Sequence, residues 1–244
     1  MNDSELAVHI AATAGGILLQ LRDSRLFEGK TLGKAGDRVA NEFIMAALEH
    51  NRPQDAILSE EEKDSAARCS AGRVWIVDPL DGTREYGEGR SDWAVHIALA
   101  IEGRAEIGAV ALPGLTLTLS SAAPQPLPPR SGAPRMVVSR TRPAQEALSV
   151  AETLKAELIP MGSAGAKAMA VARGEADIYL HSGGQYEWDS CAPVAVAQAA
   201  GLHVSRIDGS ACLYNRENPY MPDLLICRPE FAAPVLRALS VVIS

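Results

Sequence analysis

Long hydrophobic runs are missing from this chain. No apolar stretch in its 244 residues reaches the ~20 that a membrane-spanning helix needs. The amino terminus, Met1-Asn2-Asp3-Ser4-Glu5, is acidic where a secretory signal starts basic, so neither a leader nor a membrane partner is expected. Cysteine is sparse. Cys69, Cys191, Cys212 and Cys227 form neither a C-x-x-C pair nor a dense framework, which predicts reduced thiols in a cytoplasm. The five histidines, His9, His50, His96, His181 and His203, lack metal-ligand spacing and read as structural or surface residues. Positive charge is in deficit: 23 Lys and Arg stand against 30 Asp and Glu, a net of −7, which argues against a nucleic-acid partner. No internal repeat occurs.

What the chain does have is enough apolar residue, 47%, for a large core in one domain or two joined halves. Leu6, Ile10, Ala14, Ile17 and Leu21 recur at helical spacing. Residues 29–36 read as a polar, glycine-containing link, and 37–49 as a second helix with Asp37 at its N-cap. Residues 56–59, 74–77 and 93–101 read as strands, and 107–119 as a hairpin turning at Pro113-Gly114. Five prolines between 124 and 134 mark a composition break, which places a boundary between an α+β half, 1–132, and an α/β half, 133–244. In the second half strands at 136–139, 158–160, 178–180, 202–204 and 224–227 alternate with helices at 144–154, 163–172, 189–200 and 231–239.

One stretch organises the rest: Asp78-Pro79-Leu80-Asp81-Gly82-Thr83, directly after the apolar Val74-Trp75-Ile76-Val77. A turn fixed by Pro79 would bring Asp78 and Asp81 to one place with the Leu80 carbonyl between them. Two carboxylates and a carbonyl are hard oxygen donors suited to Mg²⁺. Gly82 and Thr83 offer amides that can hold an anion. Upstream, Glu60-Glu61-Glu62 follows a short strand, and downstream Trp188-Asp189 opens a helix of small residues. Taken singly, the first is a solvated acidic loop and the second a helix cap.

The full D-P-L-D-G-T string, with Trp-Asp about a hundred residues later, resembles the inositol monophosphatase-like superfamily of Mg²⁺-dependent phosphatases. The resemblance implies a layered αβαβα sandwich, α+β and α/β in its two halves, shared with fructose-1,6-bisphosphatases. It implies that Glu60, Asp78, the Leu80 carbonyl, Asp81 and Asp189 hold two or three Mg²⁺ ions. Glu61 would help position the attacking water; Glu62 is a third candidate, so the register of the run is open by one. Asp37, within Lys34-Ala35-Gly36-Asp37, would act with Thr83 as general base, and Gly82, Thr83 and Asp189 would contact substrate.

Within the superfamily, Val138-Ser139-Arg140, Ser163-Ala164-Gly165-Ala166-Lys167 and Gly183-Gly184-Gln185-Tyr186-Glu187-Trp188-Asp189 resemble the 3′(2′),5′-bisphosphate nucleotidases, the last segment especially their actinobacterial members. Arg140, Ser163 and Lys167 would then seat a second phosphate, with Arg142 a further candidate. The expected partner is a small phosphorylated nucleotide, its 3′-phosphate removed in support of sulfur assimilation, and inhibition by Li⁺ follows from the same resemblance. Inositol-1-phosphate and fructose-1,6-bisphosphate stand as alternative substrates, a non-catalytic binding protein as an alternative class, and a homodimer is left open.

Overall fold

A computed structural model describes residues 1–242. The chain folds into five layers. Helices α1 (Asp3–Asp23) and α2 (Gly29–Asn51) cover one face of a five-stranded sheet. That sheet runs in the order β1 (Ala56–Ser59), β2 (Arg73–Asp81), β3 (Ala94–Ile101), β4 (Arg104–Leu112) and β5 (Leu117–Ser120). The short helix α3 (Thr83–Gly87) follows β2. The second sheet contains β6 (Arg135–Ser139), β7 (Glu157–Met161), β8 (Ile178–Tyr186), β9 (His203–Ser205) and β10 (Tyr220–Cys227), in the order β7-β6-β8-β10-β9. Helices α5 (Ala164–Ala172) and α6 (Glu187–Ala199) lie between the sheets, and α4 (Gln145–Leu154) with α7 (Pro229–Val242) closes the far side.

Three apolar cores match the layers. One lies between α1, α2 and the first sheet, one around α5 and α6 between the sheets, and one under α4 and α7. The middle layer explains its own composition. Ala166, Ala168, Ala170, Ala172, Ala192, Ala195 and Ala197 are all buried, and only small side chains let a helix approach sheets on both sides. Gly108 of β4 serves the same contact, since a Cβ there would come within 2.5 Å of the Ala192 carbonyl.

Four local expectations change. The link at 29–36 is helical, and α2 is continuous from Gly29, so Asp37 lies in the helix interior and not at an N-cap. Glycines lower helix propensity, but here the helix must pass close to its neighbours: a Cβ on Gly33 would meet Thr83 Cγ2 at 2.7 Å, and one on Gly36 would meet Leu80 and Tyr86 at 2.9 Å. The β8 strand runs on to Tyr186 through Gly183 and Gly184, with φ of +78° and +79°. The second sheet is mixed: β6 pairs parallel with β7 and β8, while β10 pairs antiparallel with β8 and β9. Finally, α1, 21 residues with mean hydropathy 1.3, is long and apolar enough to cross a membrane by length and composition. Its buried face, Leu6 to Leu18, packs on β3, β4 and α2.

Candidate active site

The strand β2 does not end at Asp78. It continues to Asp81, and the register against β3 slips: Asp78 faces His96 and Asp81 faces Ala94, three residues opposite two. In a regular strand residues i and i+3 point to opposite faces. One extra residue reverses that parity, so a β-bulge at Pro79-Leu80, and not a turn, brings the two aspartates to one side. Proline is tolerated at a bulge because no ladder hydrogen bond is required of it.

Asp189 reaches the same place from the third position of α6, where it also accepts a hydrogen bond from the Tyr186 amide at 2.7 Å. Carboxylate oxygens of Asp78, Asp81 and Asp189 lie within 4.8 Å of one another. Glu60 stands outside that group but hydrogen-bonds Asp78 through its carboxyl. It gets there because its amide donates to the Val77 carbonyl, which extends the β1–β2 pairing by one residue. Glu61 lies near Asp37, whereas Glu62 accepts from Asn41 on α2 at 2.7 Å. The three glutamates thus face three different partners.

Four carboxyls this close in a half-dry pocket repel one another. Burial, then Glu60, Asp81 and Asp189, push Asp78 well above the usual carboxylate range. Glu60 keeps contact with solvent, yet desolvation of its carboxyl and the charges of Asp189 and Asp81 lift it to about 7. Burial and Asp81 lift Asp189 to about 7 as well. Such a donor set, all oxygen and short of positive charge, fits a divalent cation of the Mg²⁺ type. The Leu80 carbonyl lies beside Thr83, whose hydroxyl is 3.2 Å from it and 3.2 Å from the Asp37 carboxylate. Burial and Glu61 raise Asp37 to about 7 against the hydrogen bond from Thr83.

Asp81 is different. Burial alone would raise it, but His96, the Ser163 hydroxyl and the Gly165 amide more than offset that, and the carboxyl sits near 2. Ser163 Oγ donates to it at 2.5 Å, Gly165 N at 2.6 Å and Ala164 N at 3.1 Å. His96 Nε2 approaches at 3.3 Å, its ring held by the Trp188 carbonyl at 3.0 Å. The sequence reading missed His96, because a strand histidine without spacing partners carries no signal. Gly165 is its counterpart, since any Cβ there would collide with the imidazole.

The residues expected to seat a second phosphate are each already paired within the chain. Ser163 is spent on Asp81. Lys167 is buried, 5% exposed, and Nζ donates to the carbonyls of Gly162 and Ser163 at 3.2 and 2.5 Å. Arg140 is paired with Glu85 at 2.8 Å and Glu88 at 2.6 Å. Neither partner of Arg140 was expected from the sequence. Gly82, at φ +89°, makes the turn from β2 into α3.

Comparison with known proteins bears on this arrangement. The inositol monophosphatase family model matches residues 3–241. The chain belongs to the inositol monophosphatase family. Among relatives of this family member, the 3′-phosphoadenosine 5′-phosphate phosphatase of Mycobacterium leprae is 46% identical over 97% of this chain and 92% of its own length. The protein of the same description from Mycobacterium bovis is 50% identical over 93% and 89%. The 3′(2′),5′-bisphosphate nucleotidase CysQ of Escherichia coli is 30% identical over 77% and 81%. The crystal structure of CysQ from Bacteroides thetaiotaomicron superposes with a TM-score of 0.81 at 27% identity, covering 93% of this chain and 97% of its own. The family's layered α+β fold is the fold found here.

Proposed function

We propose that this chain is a Mg²⁺-dependent phosphatase that removes the 3′-phosphate of 3′-phosphoadenosine 5′-phosphate and leaves AMP. The observation that carries the reading is the meeting of Asp78, Asp81 and Asp189, from both sheet regions, within 4.8 Å and beside a Thr83–Asp37 pair. The mycobacterial relatives at 46% and 50% identity support the nucleotide substrate.

Glu60, Asp78, Asp81, Asp189 and the Leu80 carbonyl would hold two or three Mg²⁺. When bound, the cations supply positive charge that neutralises the phosphate and the departing oxygen. The rest belongs to the chain. The Thr83 hydroxyl donates its one hydrogen bond to Asp37, which leaves an oxygen lone pair to accept from an attacking water. As the water oxygen bonds to phosphorus it would give a proton to Thr83 Oγ1, Thr83 would pass its own to Asp37, and the P–O3′ bond would break with its electron pair on the leaving oxygen. Asp37, with proton affinity raised to about 7, is tuned to receive that proton near neutral pH. Glu61, close to Asp37, would help orient the water. Amides of Gly82 and Thr83 would bind phosphoryl oxygens. Asp189 would contact the substrate from the other side of the acid group. Arg140 would reach a second anion only by leaving Glu85 and Glu88; Lys167, fixed on its two carbonyls, would act through the shape of the Gly162–Ser163 turn.

The proposal extends to Li⁺ inhibition, by displacement of Mg²⁺, and to a cytoplasmic role in sulfur assimilation. Four unpaired thiols suit that compartment. The test is phosphate release from 3′-phosphoadenosine 5′-phosphate, inositol-1-phosphate and fructose-1,6-bisphosphate, with and without Mg²⁺. A preference for either of the last two overturns the substrate; no release from any supports a non-catalytic protein on this fold.

A further inference from the structure

In a chain with eleven aromatic residues, three gather beside one acid. Tyr186 and Trp188 stack face to face, 4.8 Å between centroids and 7° between planes, and Tyr220 meets Tyr186 edge-on at 5.8 Å. All three are tied to Asp189. Tyr186 donates its amide to the Asp189 carboxylate, Trp188 precedes it, and Tyr220 is the β10 partner of Tyr186 in register. The Gly184 amide donates to the Tyr220 hydroxyl at 3.1 Å, which fixes that ring. Yet Tyr186 and Tyr220 are each 41% exposed, an unusual outlay of large apolar surface next to a charged pocket.

The space in front is open. A Cβ on Gly183 or Gly184 would meet nothing within 4 Å. Tyr220 also lines a cavity of about 510 Å³ with Arg216, Asn218 and Met221, to which neither Tyr186 nor the acid group contributes. Direction agrees as well. In-line displacement puts the leaving group opposite the water. Thr83 and Asp37 stand on the α2–α3 side, while Asp189 enters from β8–α6, so the departing alcohol belongs on the side of the aromatic cluster.

We propose that Tyr186, backed by Trp188 and flanked by Tyr220, is the stacking platform for the purine base of the substrate, and that it sets the preference for a nucleotide over other phosphomonoesters. The inference rests on the nucleotide reading above. An aromatic face binds any flat base, and a stack already two rings deep loses little freedom when a third plane is added. Arg140 and Lys167 need contribute nothing to base recognition.

The test compares 3′-phosphoadenosine 5′-phosphate with glycerol 2-phosphate, a base-free ester of a secondary alcohol, for the Mg²⁺-loaded protein. In Tyr186→Leu and Tyr220→Leu the ratio of kcat/KM for the two substrates should fall about tenfold or more, through KM for the nucleotide, while Tyr186→Phe keeps it. Any side chain at 186 but proline preserves the amide bond to Asp189. An unchanged ratio in both leucine variants overturns the platform; a wild-type chain without preference for the nucleotide overturns the substrate reading instead. AMP should also quench a component of the tryptophan fluorescence of the wild-type protein that is absent in Trp188→Phe, and lack of that component counts against the platform even if the leucine variants fold poorly.

Discussion

Asp81 accepts a hydrogen bond from Ser163 Oγ at 2.5 Å, and so an acid of the first sheet caps a helix that leads into the second. The Gly165 and Ala164 amides complete the cap. One side chain therefore joins the two halves of the molecule at the point where the acid group forms. Its neighbour Asp78 accepts from the Leu80 amide of its own bulge at 3.0 Å, has no cation or helix start beside it, and faces three other carboxyls.

That contrast predicts opposite effects on stability. Asp81→Asn should destroy turnover and lower stability by roughly 2–3 kcal/mol, the worth of a charge-assisted bond and a helix cap together. Asp78→Asn should also destroy turnover, yet raise the stability of the Mg²⁺-free protein by on the order of 1 kcal/mol, because it removes a buried like charge. Urea unfolding of both variants beside a phosphate-release assay decides this, and equal destabilisation would refute the distinction.

Cation binding should depend on pH with a definite sign. Asp37, Glu60 and Asp189, raised to about 7, and Asp78, raised also, hold protons in the folded chain that the unfolded chain gives up near pH 4. Without divalent cation, these groups withdraw stability as pH climbs from about 4 through about 7. Mg²⁺ competes with those protons, so it should raise Tm by more at about pH 8 than at about pH 5. Equal shifts in a thermal scan at both values would argue that these carboxyls do not hold the ion.

Thr83 is expected to act through its hydroxyl and not through its bulk. Thr83→Val should lower kcat by about 10²–10⁴-fold, and Thr83→Ser should keep most of it. Gly33→Ala tests the same contact from the opposite side, since its methyl group would press on Thr83 Cγ2 and displace the hydroxyl from Asp37. Steady-state kinetics with unchanged circular dichroism would separate this from misfolding.

Acid stability is expected to depend on a site far from the chemistry. Asp55 accepts a fork from Arg73 at 2.8 and 2.9 Å and the Trp75 indole N–H at 2.9 Å, and the Arg73 bonds above all hold its carboxyl below the usual range. A lowered native pKa gives stability that is complete above about pH 4 and fades as pH falls further. Asp55→Asn should cost on the order of 1–2 kcal/mol at neutral pH and flatten the acid limb of the stability profile. An acid limb identical to wild type would exclude Asp55 as its source.

The acids themselves were legible before any fold was known, because D-P-L-D-G-T after an apolar strand and a distant Trp-Asp are specific strings. The strand at 74–77, the hairpin at Pro113-Gly114 and the Ala-rich helices were legible from periodicity. Asp37 was found as a residue but misplaced at a helix start, since Gly33 and Gly36 look like breakers until α3 and Leu80 are seen pressing on them. Lys167 and Arg140 looked like free cations because a sequence shows charge and not its partners. His96 was passed over because what it does depends on Asp81 and Trp188, one on the neighbouring strand and one 92 residues away.

Sequence alone determined which side chains could bind a cation and which segments would be buried, because both follow from residue type and local period. Only the tertiary structure decided which carboxyl is stabilised and which is strained, which cations are occupied, and that three aromatic rings stand beside Asp189. Those outcomes depend on distances between segments far apart in the chain, and an electrostatic or stacking energy has no value until such a distance is set.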